Sequence, residues 1–154
     1  MATIDLVRDP KNSYIFYDVD KAVGPGAPNT RGDAMLVQYF LREIFKGVPE
    51  FQKTPFPGGT MAVDGVAGPQ TFAAIKHFQK IAAQRYGGGS QDGRVDTPAG
   101  EKHYGAFSGA QYTILNMNNA FAKARRQDWP RVSRTFDCPS ELRSQIIEPK
   151  FIST

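Results

Sequence analysis

The chain has 154 residues, 40% of them hydrophobic, and a single cysteine, which suits one domain with a packed core. The lone cysteine excludes a disulfide within the chain and a zinc site built from cysteine pairs. The formal charge of +4 and the pI near 9.3 favour anionic surroundings, but the basic residues are scattered along the chain, so we expect no nucleic-acid partner.

The N-terminal region is predicted to be extended. Ser13 to Val19 is rich in aromatic and β-branched residues, which predicts a short strand or an extended segment laid on the domain. Glycine and proline dominate the stretch from Gly24 to Gly32, which therefore reads as a loop. We assign residues 1–32 to an N-terminal extended segment and loop.

Two amphipathic patterns follow. From Asp33 to Gly47 the apolar residues recur on one broad helical face, with Asp33 as the expected N-cap and Gly47 as the stop. After a connector rich in proline and glycine, a second helix should begin near Gly68 and Pro69, because proline at the first helical position loses no needed hydrogen bond. Its expected buried face comprises Thr71, Ala74, Ile75, Phe78, Ile81, Ala82 and Arg85.

A third helix is predicted within residues 110–129, after a long flexible connection and before Pro130. Residues 33–127 would then form the helical domain, and residues 128–154 a C-terminal extension. Ser140 could cap one more short helix there. The extension is too apolar for a disordered tail, so we expect it to pack on its own domain; docking on a protein partner is the alternative.

Two tight turns of similar sequence flank the second helix. Asp64-Gly65 precedes it and Asp92-Gly93 follows it. In such a turn the aspartate accepts from backbone amides, and the glycine takes a positive φ angle. The chain therefore reads as two similar half-units.

These residues carry a resemblance to a known family. The first helix with "LVQYFL", then "VDGVAGPQTFAAIKHFQ", then a second Asp-Gly turn before a third helix resembles the peptidoglycan-binding-domain-like family. That family is a three-helix wall-binding module found on bacterial and phage hydrolases. The match covers about Asp33 to Arg126 and is strongest from Val63 to Gln79. The matching positions are Asp64, Gly65, Gly68, Thr71, Ala74, Ile75, Phe78 and Gln79.

The resemblance implies a mainly α fold, a three-helix peptidoglycan-binding-like bundle, with a shallow wall-binding site between the first two helices. We interpret the motif residues as mainly structural: Gly65, Gly68, Thr71, Phe78, Gln79, Asp92 and Gly93. Exposed side chains beside the first turn would contact the ligand, because sugar rings stack on aromatic groups and stem-peptide carboxylates pair with basic ones. The ligand-binding candidates are Tyr39, Arg42, Asp64, Lys76, His77 and Lys80.

The sequence has none of the common catalytic or nucleotide-binding motifs, so we predict a non-enzymatic module with no catalytic residues, metal or cofactor. Its expected ligand is bacterial peptidoglycan. The alternative is a structural or interaction component of a larger particle, a phage virion or a bacterial injection device, that reuses the wall-binding fold. The charged N-terminus lacks the apolar core of a signal peptide, and no apolar run could span a bilayer. We therefore expect cytoplasmic synthesis, no membrane insertion, and action at the wall or within a particle.

Overall fold

The computed structural model describes residues 3–8, 13–52, 61–86, 91–97 and 112–153. Within them the chain is mainly helical, as predicted. The α-helices are α1 (Arg31–Gly47), α2 (Pro49–Gln52), α3 (Pro69–Tyr86), α4 (Thr113–Ala124) and α5 (Ser140–Gln145), with a short 3-10 helix at Val132–Arg134. Three strands accompany them: β1 (Thr3–Arg8), β2 (Ser13–Asp18) and β3 (Ile147–Ser153).

The strands form one sheet in the order β2-β1-β3. β1 pairs antiparallel with β2, with Thr3 opposite Asp18. β1 also pairs in parallel with β3, so that Thr3 lies opposite Ile147. The predicted strand near Ser13 is confirmed as β2. The C-terminal strand pairs with β1, which the sequence analysis did not identify as a strand.

Helix α1 lies at the centre of the fold. Every residue from Gly32 to Leu41 is buried, because α1 packs against α2, α3, α4 and α5. The predicted single apolar face was therefore too narrow: α1 is covered on nearly all sides. The largest contact is with α4, where the Phe40 and Phe121 rings stack with centroids 4.4 Å apart.

The start of α1 corrects the predicted cap. The helix begins at Arg31, inside the predicted loop, and Thr30 occupies the N-cap position. Asp33 is fully buried in the first turn, where its carboxylate accepts the backbone N–H groups of Asp20 and Lys21 at 2.9 and 3.0 Å. Asp33 thus ties the segment after β2 to α1.

Other boundaries differ in smaller ways. Helix α3 begins at Pro69, as predicted, but Arg85 on its expected buried face is exposed near the helix end. Helix α5 begins at Ser140, and Pro139 holds the cap position. Helix α2 lies in the predicted connector, and much of the predicted connection before α4 lies outside the described residues.

One side chain joins the sheet to the helices. Asn118 of α4 is buried; its Oδ1 accepts the backbone N–H of Tyr17 at 2.7 Å, and its Nδ2 donates to the Tyr17 carbonyl at 2.8 Å. The amide therefore imitates a neighbouring strand at the end of β2. The Tyr17 hydroxyl in turn accepts the N–H of Val132 at 2.9 Å, so the C-terminal extension is held at the same place.

Candidate functional site

Gln38, a buried side chain of α1, organises the first Asp-Gly turn. Its Nε2 donates to Asp64 Oδ1 (3.2 Å), to the Val66 carbonyl (3.1 Å) and to Thr71 Oγ1 (3.1 Å). Its Oε1 accepts the N–H groups of Asp64 and Gly65 at 3.1 and 2.9 Å. Gly65 has φ 75°, which a side chain would strain. We call Gln38, Asp64, Gly65, Val66 and Thr71 the first turn unit.

The second Asp-Gly turn repeats this arrangement around Gln79 of α3. Nε2 of Gln79 donates to Asp92 Oδ1 (3.1 Å), to the Arg94 carbonyl (2.9 Å) and to Thr113 Oγ1 (3.0 Å). Its Oε1 accepts the Gly93 N–H at 2.8 Å, and Gly93 has φ 77°. We call Gln79, Asp92, Gly93, Arg94 and Thr113 the second turn unit. In each unit, one glutamine joins a helix, a turn and the start of the next helix.

The second turn unit holds Asp92 in its charged form. Burial opposes ionisation of Asp92, but the Arg94 N–H and the Gln79 amide donate to its carboxylate and bring its pKa below the ordinary value. The Asp92 side chain therefore accepts hydrogen bonds that close its own turn.

We expect Gln79→Leu to lower the free energy of unfolding by about 2–3 kcal/mol, because the buried Gly93 N–H and Thr113 hydroxyl lose their partner. Urea unfolding measures the loss. Gln84→Leu is the matched control: it is the same substitution at an exposed position of α3 and should change stability by less than about 0.5 kcal/mol. Equal stability of the two variants would contradict the structural role of Gln79.

A shallow groove opens beside the first turn unit, between α1 and the beginning of α3. Its volume is about 180 Å³. Its lining is mixed: Met61, Ala62, Val66, Gly68 and Pro69 are apolar, Asp64 carries a charge, and Gln38, Gln70 and Thr71 are polar. Val66 at the rim is 66% exposed. The groove lies where the sequence analysis expected the binding site, between the first two long helices.

The N-terminal part of the chain covers one side of the second turn. Val23 and Val95 are fully buried and exchange backbone hydrogen bonds of 3.0 and 2.7 Å. Pro25 lies against Gly93, and the Thr97 hydroxyl donates to Asp18 at 2.7 Å. The N-terminal loop therefore packs on one side of the second turn, where Asp92 stays exposed as Asp64 does in the first turn.

The expected exposure of Tyr39 is wrong, and that of Arg42 holds only in part. Tyr39 is fully buried, and its hydroxyl lies 2.6 Å from Thr135 Oγ1 and donates to Asp137 at 2.8 Å. Arg42 is partly buried and pairs with Glu43 at 3.2 Å and with Asp137 at 3.6 Å. Both side chains are held by the C-terminal extension, which the sequence analysis could not position.

The other four predicted ligand-binding residues differ in whether they line the groove. Asp64 lines the groove, whereas Lys76 and Lys80 are exposed but do not line it. The His77 ring stacks on Phe45 with centroids 5.4 Å apart, and its buried Nε2 has no hydrogen-bond partner among the residues that the structure describes. Of the six predicted ligand contacts, the structure brings only Asp64 to the groove.

A partly buried cluster of charges holds the C-terminal extension to α1 and α4. Arg125 bonds to Glu43, to Asp128 at 2.8 Å and to Asp137 at 3.1 Å. We call Tyr39, Arg42, Glu43, Arg125 and Asp137, with Asp128 at the edge, the charge cluster. Its members pair with one another across three parts of the chain, so we interpret the cluster as structural.

Burial and ion pairing shift the pKa values of two groups in the charge cluster. Burial raises the pKa of Tyr39 well above its usual value. For Asp137, burial opposes ionisation, but the hydrogen bond from Tyr39 and the charge of Arg125 hold its pKa below the ordinary value. Asp137 therefore stays a carboxylate paired with the arginines at neutral pH.

No group of histidine, cysteine, aspartate and glutamate among the described residues could hold a metal ion, and Cys138 is buried as a free thiol. None of the helices in the described ranges is both long and apolar enough to cross a membrane. No family model, curated protein or solved structure matches this chain. Its function must therefore be inferred from its own residues.

Proposed function

We propose that the protein is a non-catalytic module that binds bacterial peptidoglycan through the groove beside the first turn unit. The observation that carries this proposal is the groove itself, an open concave site with polar groups placed by a fixed hydrogen-bond network. Gln38, Asp64 and Thr71 are held in position before any ligand arrives, which reduces the entropic cost of binding. The resemblance of the first turn and α3 to wall-binding modules supports the choice of ligand.

The size of the groove limits what it can hold. A volume of about 180 Å³ is below the roughly 300–1,000 Å³ of a site for a drug-sized ligand. The groove therefore accommodates one substituent or one side chain of the wall polymer, and the rest of the polymer would lie across the exposed rim. Binding of a single repeat should therefore be weak.

Co-sedimentation with isolated peptidoglycan sacculi tests the proposal. We expect the protein to sediment with sacculi and Ala62→Phe to reduce the bound fraction at least about fivefold, because a phenyl ring fills the groove. Ala73→Phe is the matched control: Ala73 is an exposed alanine of α3 that does not line the groove, so this variant should bind like the parent. Absence of binding by folded parent protein would contradict the proposed function.

A second candidate function is that of a structural or interaction component of a larger particle. The observation that favours it is Phe136, a large apolar side chain that is 95% exposed in the C-terminal extension. This function predicts no sedimentation with sacculi and a protein partner that protects Phe136. The sacculus experiment therefore separates the two candidates.

A further inference from the structure

The groove beside the first turn unit has a negative charge. Of its described lining residues, Asp64 is the one that carries a formal charge, and it is exposed. The expected partners for a ligand carboxylate do not line the groove, because Arg42 is paired in the charge cluster and Lys76 and Lys80 lie elsewhere. The charge of the groove thus favours a cationic ligand group.

The hydrogen bonds of Asp64 leave one of its oxygens available. Oδ1 accepts the Val66 N–H at 2.9 Å and the Gln38 amide at 3.2 Å. Oδ2 accepts no hydrogen bond from any residue that the structure describes. The Arg31 guanidinium bonds to Glu141, with one contact of 2.8 Å. This pairing raises the pKa of Arg31, and the charge of Asp64 makes a smaller contribution. The turn therefore fixes the Asp64 carboxylate through Oδ1, and no cation among the described residues bonds to Oδ2.

Much of the remaining lining is apolar. Met61, Ala62, Val66 and Pro69 contribute apolar surface beside the carboxylate, and Gln38, Gln70 and Thr71 contribute polar atoms. Such a surface suits methylene groups, which gain by leaving water, whereas a single carboxylate oxygen suits one strong donor. A short alkyl chain that ends in an ammonium group satisfies both requirements.

We propose that the groove recognises a primary ammonium group on a short alkyl chain, with Asp64 Oδ2 as its acceptor. This proposal rests on the proposed wall-binding function. On that basis, the ligand is the free side-chain amine of a diamino acid in the stem peptide. The charge preference is the reverse of the one expected from the sequence, where basic side chains were to bind stem-peptide carboxylates. Crosslinking or acylation of that amine would remove the recognised group.

A soluble probe tests the ammonium preference without sacculi. Nα-acetyl-lysine methylamide, titrated into the full chain, should shift the NMR amide signals of Asp64 to Thr71, whereas the Nε-acetylated probe should not. Asp64→Asn keeps the oxygen that accepts from Val66 and Gln38, so the fold should be retained while binding of the amine probe weakens about threefold, the effect of one exposed ion pair. Equal shifts with both probes, or with neither, would overturn the ammonium preference.

Sacculi then distinguish this inference from the proposed function. Chemical N-acetylation of the sacculi should reduce binding of the parent protein and leave Asp64→Asn nearly unaffected. If acetylated sacculi bind the parent fully and Ala62→Phe still lowers the bound fraction, the groove binds the wall through another group and the ammonium inference is wrong. If the amine probe binds in the groove while sacculi do not bind at all, the ammonium preference holds and wall binding fails.

Discussion

Phe78→Ala should lower the free energy of unfolding by about 3–5 kcal/mol, one of the two largest effects expected of any single substitution considered for this chain. Phe78 is fully buried, and its ring stacks on Phe51 with centroids 5.1 Å apart. Alanine would leave a cavity between α2 and α3 that close-packed neighbours cannot fill without strain. Urea unfolding at a fixed temperature measures the change.

The control for this prediction lies two residues away on α3. Lys76 is exposed, so Lys76→Ala should change stability by no more than about 0.5 kcal/mol. If both variants unfold at the same urea concentration, the orientation of α3 described by the structure is wrong. Because α2 is a short helix that packs on α3, the Phe78 variant should also loosen α2, which amide hydrogen exchange would detect.

Arg125→Met should cost about 3 kcal/mol of stability, since it removes one partner of a partly buried ion pair whose carboxylate is fully buried. The Glu43 side chain is 1% exposed and would keep Arg42 as its remaining cation. Burial opposes the charge on Arg125, yet the bonds to Asp128, Asp137 and Glu43 raise its pKa above the usual value. The cluster thus stabilises the fold only while its charges are balanced.

Two further variants sharpen the Arg125 experiment. Arg126 is the next residue and is exposed, so Arg126→Met should be close to neutral. Adding Glu43→Met to Arg125→Met should recover part of the lost stability, because the buried Glu43 carboxylate, which would be left with one cation instead of two, is then gone. A double variant no more stable than Arg125→Met alone would show that the cost lies in lost packing by the arginine side chain.

Local patterns in the sequence were sufficient to predict the long helices. Proline at position 69 marked the start of α3, and periodic apolar residues marked α1 and α4. The start of α1 was misplaced because Asp33 has the residue type of an N-cap, whereas its carboxylate serves amides of a segment more than ten positions earlier. Sequence spacing cannot distinguish a local cap from such a distant contact.

The pairing between the strands at the two ends of the chain was harder to predict for the same reason. Val7 of β1 lies opposite Ile152 of β3, and their pairing depends on bringing distant parts of the chain together. Isolated six- or seven-residue segments do not reveal their partners. Without this pairing, the position of the C-terminal extension over Tyr39 and Arg42 cannot be anticipated, so the sequence alone predicts both as surface residues.

Gln38 is the site residue that the sequence analysis missed. It follows the buried Val37 as Gln79 follows the buried Phe78, so aligning the two helices on these pairs would have identified it. The signal was weak because the two turns lie at different distances from their glutamines: Asp64 is 26 positions after Gln38, and Asp92 is 13 after Gln79. A comparison at one fixed repeat length overlooks such a pair.

The parallel pairing of β1 with β3 has a consequence for synthesis on the ribosome. β1 and β2 are neighbours in the chain and can pair as soon as both have been made, but β3 is made last among the described elements. Until then one edge of β1 stays open, and an open strand edge can pair with another nascent chain. Slower translation of the last helix and strand would lengthen that exposure, so the yield of soluble protein should depend on how quickly the ribosome completes the chain.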